Sequence, residues 1–495
     1  MTGPPDEDPL GGGEDGELPE GARPYESAAG RKKGQPFANR IAERLLVKHN
    51  LMVDHTGAVF QYTGTHWLPA TDAMLLKWAF EESGGFANSA GNLRGEAVAA
   101  VKAARVVENL KWGRVHATEI ACLSGVLDVE SGRVRPHRPE HNLNRIVPWE
   151  YVQGHGCPRW RRALDEWFGP DNERIGALQE FFGYVLLGHC RFKKALLLWG
   201  PSNSGKSAPL LVLMALVGRD AVCQLSLDDM EDPRRRGVIV GAALNVMTEL
   251  PYEALIRDGA FKQIVSGEPI LIDDKWRLPF LHEPTAKHVI ATEALPRLND
   301  RSAGGFNRIL LIPFERVFAD DEQDAGLVEG LIADEMVGVF AWSVEGARRL
   351  IQHGGEFAAP KESLKAMAKY RRDHNPVIAF LEEACIQEPG TASPLGPLLK
   401  QFNYWQRGSK RYDRRAFAAM LREAAEQEPA LGLTIKKVKR KVTGGQSVLS
   451  LVNYRFLAMD DRVQFQVKTE DALGPAAEIE AEAETNMDDA TGGRP

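Results

Sequence analysis

The sequence predicts an α/β protein: a largely parallel sheet covered by helices, set between a mixed helical/β N-terminal unit and a small α+β C-terminal unit. Three observations lead there. Between 191 and about 320, the runs ALLLWG (195–200), VIVGAALNVMTEL (238–250), HVIATEALP (288–296) and ILLIPF (309–314) are continuously apolar. Strands buried on both faces read that way, whereas half-buried strands alternate. Helical stretches fit between these runs, the repeating pattern of an open parallel sheet. Directly after the first run comes a glycine-rich turn, where such sheets place their ligands.

At 495 residues the chain has room for roughly two to four domains. Its 61 Lys+Arg against 68 Asp+Glu give a formal charge of −7, which on its face argues against nucleic acid. The average conceals a division. Residues 1–30 carry −7, residues 469–495 carry −7, and the body from 31 to 468 carries +7. The tails, 1–35 and 459–495, hold too little apolar surface to offset ordering entropy and are expected to be disordered. A composition of 43% hydrophobic and 26% charged residues excludes collagen, coiled coil and wholesale disorder. Five scattered cysteines (Cys122, Cys157, Cys190, Cys223, Cys385) without a C-x-x-C spacing exclude a zinc knuckle or disulfide framework and fit a reducing cytosol. The N-terminus lacks the basic region and apolar core of a signal peptide. The longest apolar run, Leu210–Val217, is too short to span a bilayer, so no membrane partner is expected.

Element by element, FANRIAERLLVKH opens the N-terminal domain (36–170) with Ile41, Leu45, Leu46 and His49 at helical spacing. VFQYTGTHWLPA (59–70) reads as two strands about the Thr63-Gly64 turn, with Trp67 as a packing anchor. A helical stretch is expected from about 72 to 110, then a strand, Ser-Gly turn and strand over 125–141. RWRRALDEWFG (159–169) and ERIGALQEFFGYVLLG (173–188) read as amphipathic helices. The α/β domain spans 171–355, its last part a helical connector over 328–352. A basic linker (356–375) then leads into the α+β unit at 376–458.

Gly200-Pro201-Ser202-Asn203-Ser204-Gly205-Lys206-Ser207 satisfies G-x-x-x-x-G-K-[ST]. Backbone N–H groups of such a loop cradle phosphates, the lysine reaches the terminal phosphates, and the serine hydroxyl ligates Mg²⁺. ALLLW supplies the preceding strand and APLLVLMALVG the following helix. Pro209 falls in that helix's first turn, where a missing N–H has no intrahelical partner. A nucleotide with Mg²⁺ is therefore the expected ligand. Glu249, at the end of AALNVMTEL, is the candidate second acid for the metal, at a strand's C-terminal edge.

GVLDVESGRVRPHRPE, LQEFFGYVLLG, LLLWGPSNSGKS, IVSGEPI and PTAKHVIATEALPRLNDRSAGGFNRILLIPF, in this order, resemble the phage and plasmid primase–helicase family, superfamily 3 helicases with poxvirus-type relatives. The resemblance covers about residues 40 to 320, with a weaker echo to about 456. It implies a helical/β collar and oligomerisation domain, an AAA+-like P-loop motor and a winged-helix-like tail. It further implies a ring, usually a hexamer, that hydrolyses ATP between subunits and translocates on single-stranded or forked DNA in the cytoplasm of a bacterial host. Lys206 and Ser207 match the family's phosphate and Mg²⁺ ligands, and Glu249 its second metal acid. The segment from Gly267 to Pro279 resembles a hairpin that projects into the ring channel, where Lys275 and Arg277 would meet DNA phosphates. Asp273 and Asp274 stand there where relatives often carry bases. Arg308 matches an arginine that reaches the neighbouring subunit's ATP; relatives often have two adjacent arginines, whereas this chain has Asn307-Arg308, and Arg301 is the substitute if the first of the pair is the finger. Glu293 replaces a polar asparagine that helps orient the attacking water.

Residues 400–456 hold thirteen Lys/Arg against four Asp/Glu, interleaved with Phe402, Tyr404, Trp405, Tyr412 and Phe417. DRRAFAAMLREAAE has helical spacing, and the run Lys436, Lys437, Lys439, Arg440, Lys441 with SVLSLVNYRFL resembles the wing hairpin of a winged helix. That arrangement inserts a helix in a groove and lays the wing along phosphates. Only about 35 residues precede the collar, and no zinc-binding cysteine cluster is present, so primer synthesis is expected of a separate primase, alongside a polymerase. The reading is an ATP-dependent DNA helicase of phage or mobile-element replication. The alternative is an ATP-gated DNA-binding initiator or scaffold with little turnover, motivated by Glu293. A small-molecule P-loop kinase leaves the basic C-terminal unit without a purpose.

Overall fold

The computed structural model describes residues 37–456 apart from 55, 84–92, 105, 109, 111, 114, 249, 252–253, 274, 276–277, 299–302, 407–410, 428–430 and 440–446. Both acidic tails, Glu249, Asp274, Arg277, Arg301, Arg440 and Lys441 lie outside the described residues, and of Lys439 only the backbone is described.

The N-terminal helix α1 (Phe37–Lys48) buries Ile41 and Leu45, as their spacing requires, and leads into β1 (Leu51–Asp54). Strands β2 (Val59–Tyr62) and β3 (Trp67–Pro69) pair antiparallel with Tyr62 opposite Trp67, and Gly64 takes φ 97° in the turn between them. Helix α2 (Asp72–Glu82) starts beneath Thr71, whose hydroxyl accepts from Met74 N at 3.3 Å. Helix α3 (Leu93–Ala103) stops short of the expected helical stretch. The β-branched pair Val106–Val107 forms β4 instead, which joins β1 in parallel and completes a sheet of order β3-β2-β1-β4.

Next come β5 (Glu119–Cys122), β6 (Gly125–Asp128) and β7 (Val134–Arg135), an antiparallel sheet. Its Ile120, Cys122 and Leu127 are buried in one core with α4 (Pro158–Phe168) and α5 (Asn172–Leu186). That core continues across residue 170 without a break, so α4 packs as part of the central body.

The central sheet takes its strands from β8 (Ala195–Trp199), β9 (Val222–Cys223), β10 (Leu244–Thr248), β14 (Lys287–Thr292) and β16 (Ile309–Pro313). Between them lie α6 (Ser207–Val217), β11 (Leu255–Ile256), α7 (Asp258–Val265), β12 (Ile270–Ile272), β13 (Phe280–His282), β15 (Arg297–Leu298) and α8 (Ala303–Phe306). The strand order is β16-β8-β14-β10-β9, parallel throughout. Leu196, Leu198, Val246, Val289 and Ile312 face α4, α5 and α6, while Leu197, Met247, Ile290 and Leu311 face α7 and Phe306. Both faces are covered, which is why these strands are apolar without alternation. VIVGAALNVMTEL is strand only over Leu244–Thr248. Its first half turns as a short 3-10 segment, and Gly241 at φ 80° breaks the run.

Helices α9 (Leu327–Asp334), α10 (Met336–Gln352) and α11 (Lys361–His374) follow. Helix α10 lies against α5 with a glycine on each side of the contact. A Cβ on Gly183 would stand 2.1 Å from Ala347 N, and one on Gly346 would stand 2.0 Å from Gln179 O. Glu180, buried at this contact, accepts from Arg349 Nε at 2.7 Å and from Ala358 N at 2.7 Å.

The C-terminal unit runs α12 (Pro376–Ala384), β17 (Cys385–Pro394), α13 (Leu395–Trp405), α14 (Arg414–Gln427), β18 (Thr434–Lys439) and β19 (Ser447–Phe456). Its antiparallel sheet has the order β17-β19-β18, and Phe380, Phe402, Phe417, Leu421, Leu451 and Tyr454 form a separate core. Among the described residues no helix is long and apolar enough to cross a membrane.

A lysine is buried in the central body as well. Lys287, the first residue of β14, is fully buried; its Nζ donates to Thr285 O at 2.9 Å and to Leu187 O and lies 5.0 Å from the Tyr184 ring. Burial pushes its pKa down to about 8. Between about pH 8 and 10.5 the unfolded chain therefore binds a proton that the folded chain has released, so stability rises with pH. Lys287→Met removes this dependence. Relative to that variant, the natural protein should gain up to about 3 kcal/mol between pH 7.5 and 10.5, read by urea denaturation at each pH. At the helix contact, Gly183→Ala should destabilise the fold by about 1–3 kcal/mol through overpacking. Gly188→Ala, where no atom lies within 4 Å of the new Cβ, should stay within about 0.5 kcal/mol of the parent in the same denaturation experiment.

Candidate functional site

Strand β8 lies between β14 and β16, so the chain leaving its C-terminal end emerges where neighbouring connections depart to opposite sides of the sheet. Open α/β sheets bind ligands at such a crevice. The segment from Gly200 to Ser207 turns there and enters α6, whose N-terminal N–H groups favour an anion.

Two glycines hold the loop close to the body. A Cβ on Gly200 would stand 2.0 Å from Phe314 O, just past β16, where Phe314 N bonds Trp199 O at 2.6 Å. Gly205 adopts φ 89°, and a Cβ there would lie 2.6 Å from Trp167 Nε1 of α4. Asn203 takes φ 56° at the loop's bend, and its carbonyl accepts from Phe318 N at 2.9 Å. Pro209 is buried in the first turn of α6, as its sequence position requires. Ser207 is exposed at the start of the same helix, and Ser204 is buried.

Lys206 Nζ donates to Gly200 O at 2.7 Å, to Ser204 Oγ at 3.1 Å and to Pro201 O. The ammonium therefore lies within the curl of its own loop. Burial lowers its pKa, and the charge of Glu293 opposes that shift. Glu293 is exposed just past the C-terminal end of β14. Its carboxylate accepts from Ser202 Oγ, and its backbone oxygen accepts from Trp199 Nε1 at 2.9 Å. The residue that departs from the resemblance thus touches the loop directly. The residues present fit a nucleotide phosphate chain: a backbone curl bounded by Gly200 and Gly205, a helix N-terminus and an ammonium lie together. The Ser207 hydroxyl is the residue at this loop that would hold Mg²⁺; Glu249, the other expected ligand, lies outside the described residues.

Arg308 lies elsewhere. It precedes β16, and its backbone oxygen accepts from Ala195 N at 2.8 Å, at the sheet edge opposite the loop. Its Nε donates to Ser266 Oγ at 3.2 Å. Arg308 and the loop of one chain are therefore at opposite ends of two adjacent parallel strands.

Strands β12 and β13 form the hairpin expected around Gly267–Pro279, with Ile270 opposite His282 and Ile272 opposite Phe280. Lys275 is exposed at its tip, with Asp273 half-buried at its base and Leu278 and Leu281 exposed beside it. In the C-terminal unit Lys436 and Lys437 lie on β18, paired with Ser450 and Leu449 of β19. Phe402 and Phe417 are core residues of that unit, whereas Tyr404 is 79% exposed on α13. Two contributors to the loop's surroundings carried no signal in the sequence. Trp167 looked like an ordinary apolar helix position, and Phe318 follows the last strand with no motif around it.

The family model described as D5 N terminal like matches residues 38–169. The match ends at the residue after α4, so it includes Trp167. A helicase candidate, 022R, of Frog virus 3 is 22% identical over 373 residues, covering 58% of this chain and 38% of its own length. A second, 184R, of Invertebrate iridescent virus 6 is 23% identical over 231 residues, covering 42% and 23%. These matches support a likeness to viral and phage primase–helicase-like proteins. The chain spans about a quarter to two-fifths of the length of those viral relatives. An uncharacterized mitochondrial protein of Marchantia polymorpha is 27% identical over 120 residues, 22% of this chain and 67% of its own length. The apo structure of the NrS-1 C terminal region, 12% identical, aligns over 85% of this chain and 100% of its own with a TM-score of 0.46.

Proposed function

We propose that this chain is an ATP-dependent DNA helicase of replication: an AAA+-like P-loop ATPase that works as a ring and translocates on single-stranded DNA. The observation that carries the reading is the loop Gly200–Ser207, which curls at the end of an interior strand of an all-parallel sheet with Lys206 inside it. The family and its helicase-named relatives supply the reaction class.

Within one subunit the loop N–H groups and the N-terminus of α6 bind the phosphates. Lys206 exchanges its loop carbonyls for phosphate oxygens. Mg²⁺, when bound, neutralises charge on the transferring phosphoryl group. Glu249, which follows β10 in sequence, helps hold it and polarises the attacking water. Arg308 cannot serve its own chain's loop from the opposite sheet edge, so it acts on the nucleotide of the next subunit, which makes a ring, by the family resemblance a hexamer, part of the active site. Lys275 at the hairpin tip and the Lys436/Lys437 strand meet DNA phosphates through sequence-independent attraction. The order α12-β17-α13-α14-β18-β19 supports a winged-helix reading of the C-terminal unit, with α14 as the groove helix and β18–β19 as the wing.

Lys206→Ala should abolish single-stranded-DNA-stimulated ATP hydrolysis, with turnover falling at least about 100-fold. Equal turnover in the two proteins would end the motor reading.

The contact between Glu293 and Ser202 favours a second reading, an ATP-gated initiator or scaffold with little turnover, because an ionised carboxylate at the loop repels the terminal phosphate. Glu293→Asn separates the two in a forked-DNA unwinding assay. For a motor, the natural protein already unwinds, and the variant changes its rate by no more than about tenfold. Unwinding that emerges only in the variant would establish the scaffold.

A further inference from the structure

At the sheet edge opposite the loop, two cations are held together without an anion. Lys194, which precedes β8, donates from Nζ to Asn307 O at 2.5 Å. Arg371, on α11, donates from Nη2 to Oδ1 of the same asparagine at 3.4 Å. One residue thus spaces an ammonium and a guanidinium. Both are half-buried. Burial lowers the proton affinity of Lys194, and the charge of Arg371 lowers it further. Among the described residues, no carboxylate pairs with either. Arg371 Nε is a buried donor with no acceptor, and the guanidinium lies 5.4 Å from the Phe306 ring.

Such an arrangement costs free energy unless an anion completes it. The surrounding structure fixes its members in advance. The fully buried neighbour Tyr370 ties α11 to the body through its hydroxyl, which donates to Pro296 O. Asn307 is fixed by its place between α8 and β16. The chemistry calls for a dianionic or more highly charged group that can take an ammonium and a guanidinium at once, which a terminal phosphate does. This chain's own nucleotide is out of reach. Strand β8 is five residues long, so its two ends are separated by about 16 Å, and the loop leaves the far one.

We propose that Lys194 and Arg371, spaced by Asn307, form a two-cation site for the terminal phosphates of the nucleotide bound by a neighbouring copy of this chain, beside Arg308. This inference rests on the ATPase reading and adds to it a contact from outside the P-loop sheet. Arg371 belongs to the helix that runs into the C-terminal unit. Asn375 follows α11, caps α12 by accepting from Val377 N at 3.2 Å, and donates to Met420 O of α14 at 3.3 Å. Occupancy of the site is thereby felt at the helices proposed to meet DNA.

The test uses the full-length protein with Arg371→Gln, Arg371→Lys and Lys194→Gln. Arg371→Gln and Lys194→Gln should each lower ATP turnover at saturating ATP and DNA by about tenfold or more. ATP affinity in dilute monomers and the melting temperature should stay at their natural values, and Arg371→Lys should keep most of the activity. Mixing Arg371→Gln subunits with Lys206→Ala subunits should restore turnover, because a mixed interface pairs an intact loop with an intact Arg371. Natural turnover in Arg371→Gln, or no recovery in mixtures shown to co-assemble, would overturn the proposal. So would a loss of single-stranded-DNA affinity with turnover at saturating DNA unchanged, which would make the pair a DNA-phosphate contact. Failure of the ATPase reading itself is distinguishable, since the natural protein and Lys206→Ala would then hydrolyse ATP equally. In that event assembly decides: a slowly hydrolysed ATP analogue should associate natural subunits and not Arg371→Gln subunits, and equal association would refute the two-cation site.

Discussion

The position of β8 governs the rest of the molecule. Its backbone is bonded on one side to β14 and on the other to β16, so it has no free edge. The chain can leave only at the C-terminal end, and it must turn at once to lay α6 across the face. That turn brings Gly200 against Phe314 O, a distance no side chain tolerates, and tucks Gly205 beneath Trp167. The loop's shape is therefore set by contacts to β16 and α4 as well as by its own residues. The helix that supplies Trp167 lies at the end of the matched family segment, which physically joins the N-terminal region to the loop Gly200–Ser207.

A second consequence of the parallel sheet is polarity. All five strands point the same way, so each end of the sheet collects a different chemistry. The C-terminal ends gather Gly200–Ser207 and Glu293 around an ammonium. The N-terminal ends gather Lys194, Asn307, Arg308 and, from α11, Arg371. One end carries the loop proposed to take phosphates, and the other presents positive charge about one strand length away. A single subunit cannot use both on one nucleotide. Two subunits can, and that makes assembly a requirement of the chemistry proposed for this chain.

Charge follows the same division at the scale of the whole chain. The formal −7 is the sum of a +7 body and two −7 tails, and the basic residues of the C-terminal unit are interleaved with aromatic residues split between core and surface. Phe402 and Phe417 hold α13 and α14 together, and Tyr404 is left facing solvent. Aromatic interleaving in a basic stretch is thus ambiguous until burial is known, because the same ring serves either as packing or as a stacking platform.

The elements visible in the sequence were those with a local cause. Continuous apolar runs marked β8, β14 and β16, helical spacing marked α1, α4, α5 and α14, and the glycine-lysine pattern marked the loop Gly200–Ser207. Strands β4, β9, β11, β15 and β17 had no such mark. Most are two residues long, and β17 contains Pro389 and Gly390 and breaks register with β19 between Gln387 and Ala392, so only the partner strand makes it a strand. The sequence by itself determined the sheet's burial, the loop and its lysine, because periodicity and backbone freedom are properties of neighbouring residues. The tertiary structure alone decided that Glu293 touches Ser202, that Trp167 closes on Gly205, and that Lys194 and Arg371 share Asn307. Those contacts join residues 38 to 177 positions apart, and no local pattern encodes a meeting that depends on how strands are ordered in a sheet.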